Sequence, residues 1–297
     1  MSRHMRSNIM LLITALIWGV AFVAQKSGGV IGAFTYNGIR MTMGGLALIP
    51  VVIYLIRSQH LTLNKETIIG GVICGVFLFV ASSFQQHGVN YTTAGKAGFI
   101  TSLYAVLVPV LLFIGGRKVR PVIWLCVLLG AIGLYLLTMQ GTFTLEIGDL
   151  LVIACAFCFA VHIIVIDHYS PLAIGAVMSC IQFLVAGALG LLFMLLFESP
   201  DPSAILDNWM AIAYGGIGSC SIAYTLQIIA QADADPSQAS LILCLESVFS
   251  VIAGAIILGE RMSFVNLIGC LLIFIAVVLS QLPDQDANEE TVIKNVD

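Results

Sequence analysis

Charge is scarce in this chain. Only 9% of the 297 residues are charged, 12 Lys and Arg against 16 Asp and Glu, while 60% are hydrophobic and the mean hydropathy is +1.05. A soluble domain needs far more polar surface to cover its core, so a polytopic membrane protein is left. Long polar connections are missing too, which leaves no room for a soluble ATP-binding domain. The stretch Thr93-Ala94-Gly95-Lys96-Ala97 imitates a phosphate-binding loop, but residues 89–94 are too long a gap after Gly88, and Ala97 stands where magnesium needs a hydroxyl. A primary pump is therefore not expected of the chain by itself. Period-two alternation is absent, which excludes a β-barrel. All eight cysteines fall inside apolar runs, where no secreted disulfide framework would put them. Cys155 and Cys158 form a C-x-x-C without a companion pair and read as packing residues. No cofactor, metal or nucleic-acid partner is expected.

What is present is a series of ten apolar runs, near 8–25, 33–56, 68–87, 95–114, 121–139, 148–166, 172–197, 209–230, 237–258 and 264–281. The hydrocarbon core of a bilayer is about 30 Å thick and needs roughly 20 mostly apolar helical residues per crossing. The expected fold is all-α and polytopic, with ten transmembrane helices around a central cavity. The runs are written twice. Gln85 and Gln227 are separated by 142 residues (227 − 85), and so are Arg40/Gln182, Lys96/Gln238 and Tyr104/Glu246. Residues 1–139 form a first five-helix repeat and 140–282 a second. An odd number of crossings turns the second copy upside down. Residues 283–297, with Asp284, Asp286, Glu289 and Glu290, read as an acidic disordered tail. Arg3, Arg6, Arg57, Lys65, Arg117, Lys118, Arg120 and Lys294 collect on one side, with Lys26 and Arg261 on the other, so both termini are expected in the cytoplasm.

Ionisable groups in the middle of a bilayer cost at least roughly 2.5–3.5 kcal/mol on insertion scales, so those that persist tend to be paired and functional. Glu246 lies near the centre of the ninth run, too deep to snorkel; it is either a coupling or substrate-binding group or a hydrogen-bonded structural carboxyl. Arg40 and Lys96 either snorkel to the outer interface or face the cavity. In the cavity they attract a carboxylate or phosphate, and Glu246 then supplies the counter-charge for a zwitterion such as an amino acid. His162 is a candidate proton relay, with a packing role as the competing reading. In the eighth run Ser221, Tyr224, Gln227 and Gln231 share one helical face, and Ser82, Gln85 and Gln86 stand in the matching part of the third. Trp18, Tyr104 and Tyr224 are candidate aromatic walls. Gly215, Gly216 and Gly218 suggest a flexible point in the eighth run.

Ile17-Trp18-Gly19, Gln85 through Thr93 with Ala94-Gly95-Lys96-Ala97-Gly98-Phe99, Leu245-Glu246 and Leu258-Gly259-Glu260-Arg261 occur in an order and spacing that resembles the EamA-type family of the drug/metabolite transporter superfamily. That resemblance implies inverted five-helix repeats, cytoplasmic termini, and a cavity lined mainly by helices one, three, four, six, eight and nine. It also implies alternating access for small metabolites, often export of amino acids or related compounds. Two positions depart from the family pattern: Ala105 and Ser247 stand where proline is common, although Pro109 remains. Helix one lacks the acidic residue that small multidrug exporters of the superfamily use.

The expectation is a secondary transporter of small polar metabolites in the inner or plasma membrane, probing its cargo with Trp18, Arg40, Gln85, Lys96, Tyr104, Tyr224, Gln227 and Glu246. Its partners are the metabolite, membrane lipid and, through Glu246 or His162, protons; no oligomeric state is assigned. Two other classes stay open. One is an intramembrane enzyme, for which Cys158 and His162 at i,i+4 come nearest to a nucleophile–base pair. The other is a non-transporting membrane sensor or assembly subunit, which has no need of matched polar stripes.

Overall fold

The computed structural model describes residues 3–91, 94–138, 147–257 and 263–282, and every regular element among them is helical. The elements are α1 (Arg3–Gly28), α2 (Ala33–Gln59), α3 (Lys65–Tyr91), α4 (Ala94–Ser102), α5 (Tyr104–Ile114), α6 (Pro121–Thr138), α7 (Ile147–Tyr169), α8 (Gly175–Phe197), α9 (Pro202–Asp207), α10 (Trp209–Ala213), α11 (Tyr224–Gln231), α12 (Pro236–Leu243), α13 (Leu245–Ile257) and α14 (Phe264–Ser280). A short 3-10 turn (Gly29–Ile31) follows α1, and a π-helix (Tyr214–Ala223) joins α10 to α11. Among the described residues seven helical spans are long and apolar enough to cross a membrane; Ile100–Ile114, Pro121–Leu136 and Phe264–Ser280 are shorter apolar helices. The acidic tail at 283–297 and the Gly259-Glu260-Arg261 motif lie outside the described residues.

Local chemistry sets the helix ends. Asp201 and Asp235 each accept hydrogen bonds from backbone N–H groups of the turn that follows, and each precedes a proline, Pro202 or Pro236, at the first helical position. A proline there has no N–H to leave unsatisfied. Ser263 and Asn266 form a reciprocal capping box that opens α14. The start of α2 is capped from a distant part of the chain. Glu198, at the end of α8, accepts from Phe34 N (3.0 Å), Thr35 N (2.7 Å) and Thr35 Oγ1 (2.7 Å). Gly32 makes this approach possible, with φ at +101° and room for no Cβ, which would lie 2.5 Å from a Glu198 oxygen.

Side-to-side packing follows the small residues. Helix α2 runs against α8, α3 against α7 and α8, α6 against α14, and α1 against α13, the π-helix and α11. A Cβ on Gly38 would meet Leu191 N at 2.8 Å, and one on Gly190 would meet Gly38 Cα at 2.7 Å, so here backbone lies directly on backbone. Close approach of this kind gains dispersion energy where lipid removes the hydrophobic drive between helices. Along the same seam Gly45 faces Leu184 and Gly187 faces Thr42. Leu125, Leu128 and Ile132 on α6, and Leu267, Leu271 and Phe274 on α14, are exposed, an apolar surface suited to acyl chains.

Three of the runs around the centre depart from uninterrupted α-helix. The fourth run breaks at Leu103, well before Pro109, and the ninth breaks at Cys244. Helix α5 passes through Pro109 without interruption. The eighth run, where the glycines suggested flexibility, contains ten residues of π-helix. Such segments are rare and usually a single turn long, and they concentrate at functional sites.

Candidate functional site

One cavity lies at the centre of the bundle, lined from α1, α2, α3, α4, α5, α7, the π-helix, α11 and α13. About 40 Å³ of it can hold the centre of a water molecule. One water needs about 10–15 Å³ of such space, so about three fit, and a larger guest requires the walls to part.

Trp18, Arg40, Gln85, Tyr104, His162, Tyr224, Gln227 and Glu246 all line this cavity. Lys96 lies on α4, but its side chain is outside the described residues. Arg40 does not snorkel: it is 3% exposed and projects inward from α2. Its Nε donates to Asn37 Oδ1 at 3.0 Å, its Nη1 lies 3.6 Å from Cys220 Sγ, and its guanidinium carbon sits 5.3 Å from the centre of the Tyr36 ring. Asn37 is held in turn by donating to Ser82 O at 2.9 Å. Glu246, 4% exposed, accepts from Tyr104 Oη at 2.9 Å and from Ser102 Oγ at 3.4 Å. Ser102 also lies 2.6 Å from Ser247, so the residue in the place of the common proline is tied back to α4. Among the described residues neither Arg40 nor Glu246 forms a salt bridge; the described ion pair joins Arg117 to Asp167 at the protein surface.

The aromatic wall is built on Tyr224, whose ring centroid is 4.5 Å from Trp18, 5.3 Å from Phe183 and 6.0 Å from His162. His162 Nε2 contacts Gln182 Oε1 at 3.2 Å, so Gln182, the repeat-mate of Arg40, supports the wall from behind. Gln238, the repeat-mate of Lys96, is turned away and donates to Ser280 O. Tyr104 and Glu246, themselves 142 residues apart, touch each other.

The stripe expected in the eighth run is altered by the π-helix. Ser221 lies within it and donates to Gly44 O and Gly216 O, so it faces α2, and Ser219 lines the cavity instead. The reason is geometric: bonding i to i+5 puts more residues in each turn than the α-helical spacing allows for. Beyond that segment Tyr224 and Gln227 keep their face, and Gln231 backs Gln227. On α3 only Gln85 reaches the cavity and bonds Thr101, whereas Gln86 donates to Gln25 O. Sequence reasoning passed over Gln25 and Thr101. Both carried a legible signal, since Gln25 stands seven residues after Trp18 and Thr101 three before Tyr104, spacings that share a helical face.

A sequence model of the EamA-like transporter family matches residues 5–139 and, a second time, residues 146–282. The chain belongs to that family. It is 29% identical to an uncharacterised transporter of Archaeoglobus fulgidus, over 94% of this chain and 87% of the relative. It is 25% identical to the threonine/homoserine exporter RhtA of Escherichia coli K12, over 97% and 94% of the two chains. A crystal structure with 22% identity superposes with a TM-score of 0.77, covering 93% of this chain and 98% of the other, and so shares the fold. As an EamA-like protein the chain is an integral, multi-pass membrane protein of a transporter family, not an enzyme family, with a small-molecule substrate.

Proposed function

We propose that this EamA-like protein is a ten-span secondary carrier that exports small polar metabolites, amino acids or related zwitterions, by alternating access across the inner or plasma membrane. The observation that carries this reading is the pair of buried, opposite charges, Arg40 and Glu246, which line one small cavity and form no salt bridge among the described residues. A guanidinium is shaped to receive a carboxylate, and a carboxylate receives an ammonium group. Held apart in a low-dielectric interior, the two bind the ends of a zwitterion better than either binds a singly charged guest. Tyr104 and Ser102 hold the Glu246 carboxylate in place, Asn37 and Tyr36 hold Arg40, and Trp18 and Tyr224 form the apolar side.

Two inverted repeats, 1–139 and 140–282, are supported by contacts that exchange under the 142-residue offset. Gly45 meets Leu184 while Gly187 meets Thr42, and each pair becomes the other when 142 is added or subtracted. Tyr104 and Glu246 touch their own repeat-mates, as residues beside a two-fold axis must. In this reading residues 283–297 form an acidic tail and both termini lie in the cytoplasm. The breaks at Leu103 and Cys244 and the π-helix are where the walls part. Export is favoured by the relation to RhtA, which is named for the efflux of threonine and homoserine.

The test is metabolite profiling of cells with and without the protein, followed by uptake of the leading candidates into proteoliposomes. Glu246→Gln should keep the fold, because the amide oxygen still accepts from Tyr104, and should remove most zwitterion flux. An undiminished rate in that variant rejects the role given to Glu246, and a panel with no substrate-dependent flux rejects the carrier.

A further inference from the structure

The charged pair leaves unexplained two neutral groups in the same wall whose hydrogen-bonding sense is fixed by the fold. Trp18 Nε1 is an indole nitrogen and can only donate. It is buried with no partner among the described residues, and its ring is held against Tyr224. Gln227 is fixed by a relay. Gln231 Nε2 donates to the Ile163 carbonyl at 3.1 Å, and a carbonyl only accepts. Gln231 Oε1 therefore faces Gln227, whose Nε2 donates to it at 2.9 Å. Gln227 Oε1 is the atom left over: a buried acceptor, on a residue 1% exposed, with no partner among the described residues. Reversing Gln227 would set acceptor against acceptor, and reversing Gln231 would set acceptor against carbonyl and donor against donor.

The wall thus presents one obligate donor and one obligate acceptor, and Gln25 Oε1 adds a second unpartnered acceptor on the same lining. Buried polar atoms are almost always satisfied, and these three line the space where a guest would sit. Resting on the carrier reading above, we infer that Trp18 and Gln227 form a neutral selectivity subsite for a substrate side chain that both accepts and donates a hydrogen bond, a hydroxyl or a carboxamide. An apolar side chain of the same shape leaves the donor and the acceptor unpaired, and a site built this way rejects it more strongly than a purely hydrophobic pocket would. A hydroxyl satisfies one donor and one acceptor. A carboxamide satisfies all three atoms, its carbonyl on Trp18 and its two N–H groups on Gln25 and Gln227.

The experiment uses purified full-length protein in proteoliposomes and two isosteric pairs, threonine against valine and asparagine against leucine. The polar member of at least one pair should be favoured by roughly 10- to 100-fold in kcat/KM. Preference confined to threonine assigns the hydroxyl, and preference for asparagine assigns the carboxamide. Trp18→Phe keeps a ring against Tyr224 and removes the N–H, so it should shrink the polar-to-apolar ratio toward one. Should that variant fail to reconstitute, Gln227→Met removes the acceptor at similar volume and is judged by the same ratio. Equal rates for both members of each pair overturn the subsite while leaving the carrier intact. An unchanged ratio in the variant also overturns it, and no flux of any of the four overturns the amino-acid reading and the subsite together.

Discussion

Replacing Arg40 by Met separates function from folding, because the structure gives the guanidinium so little compensation. On insertion scales a buried arginine costs about 2.5–3.5 kcal/mol. Against that stand one charge-assisted hydrogen bond to Asn37, worth about 1.5–3 kcal/mol, and the Tyr36 ring at 5.3 Å, worth about 0.5–2 kcal/mol. The two sides nearly cancel, so Arg40→Met should change stability by no more than about 2.5 kcal/mol in either direction. Transport should respond very differently. Removing one partner of a buried, hydrogen-bonded charge pair with the substrate carboxylate costs about 2–5 kcal/mol, which is roughly a 30- to 4,000-fold loss of flux. Thermal unfolding in detergent, followed by uptake into proteoliposomes at matched reconstitution, measures both. If Arg40 were instead one half of a structural ion pair, its loss would cost about 3–5 kcal/mol of stability. A large fall in unfolding temperature, with near-normal uptake by the protein that survives, refutes the argument.

Gly218 offers a second separation, since a Cβ there would find only ordinary contacts with the Tyr214 ring at 3.7 Å. Gly218→Ala should fold normally yet slow turnover at unchanged KM, because alanine favours the regular helix by about 1 kcal/mol over glycine; a wild-type kcat removes the π-helix from the mechanism. Gly38→Val should do the reverse and lose folded protein, since the added atoms must force α2 from the α8 backbone at a cost of about 1–3 kcal/mol or more. An unaltered unfolding temperature would show that this seam is not the tight contact it is taken to be.

Much of the architecture was legible before any coordinates, because continuous apolarity leaves a chain in lipid few options other than helices. The expected run at 33–56 became α2 at Ala33–Gln59, and that at 148–166 became α7 at Ile147–Tyr169. The polar residues were legible for the same reason: a glutamine or carboxyl deep in a bilayer has to point somewhere other than lipid. Exact partners were less accessible. Gln85 and Gln86 are adjacent in sequence, yet one faces the cavity and the other braces α1, a difference set by helix rotation. Ser221 fitted an α-helical stripe and lost its place to Ser219 because the backbone there is π-helical.

The sequence by itself determined that this chain lives in a membrane as a set of apolar helices with a few costly polar groups, and that two similar halves carry them. Composition and spacing suffice for that, since the cost of burying charge and backbone in lipid depends on residue type more than on neighbours. Only the tertiary structure decided which of those groups meet. Arg40 was free to snorkel or to turn inward, and packing of α2 against α8 and the π-helix turned it in. Glu246 had no assigned partner until Tyr104 and Ser102 were brought to it from the other half of the chain. The free donor of Trp18 and the free acceptor of Gln227 exist only because a network from Ile163 through Gln231 fixes one amide and the Tyr224 ring fixes the indole. Hydrogen bonds are short-ranged and directional, so their sense is set by contacts between residues far apart in the chain.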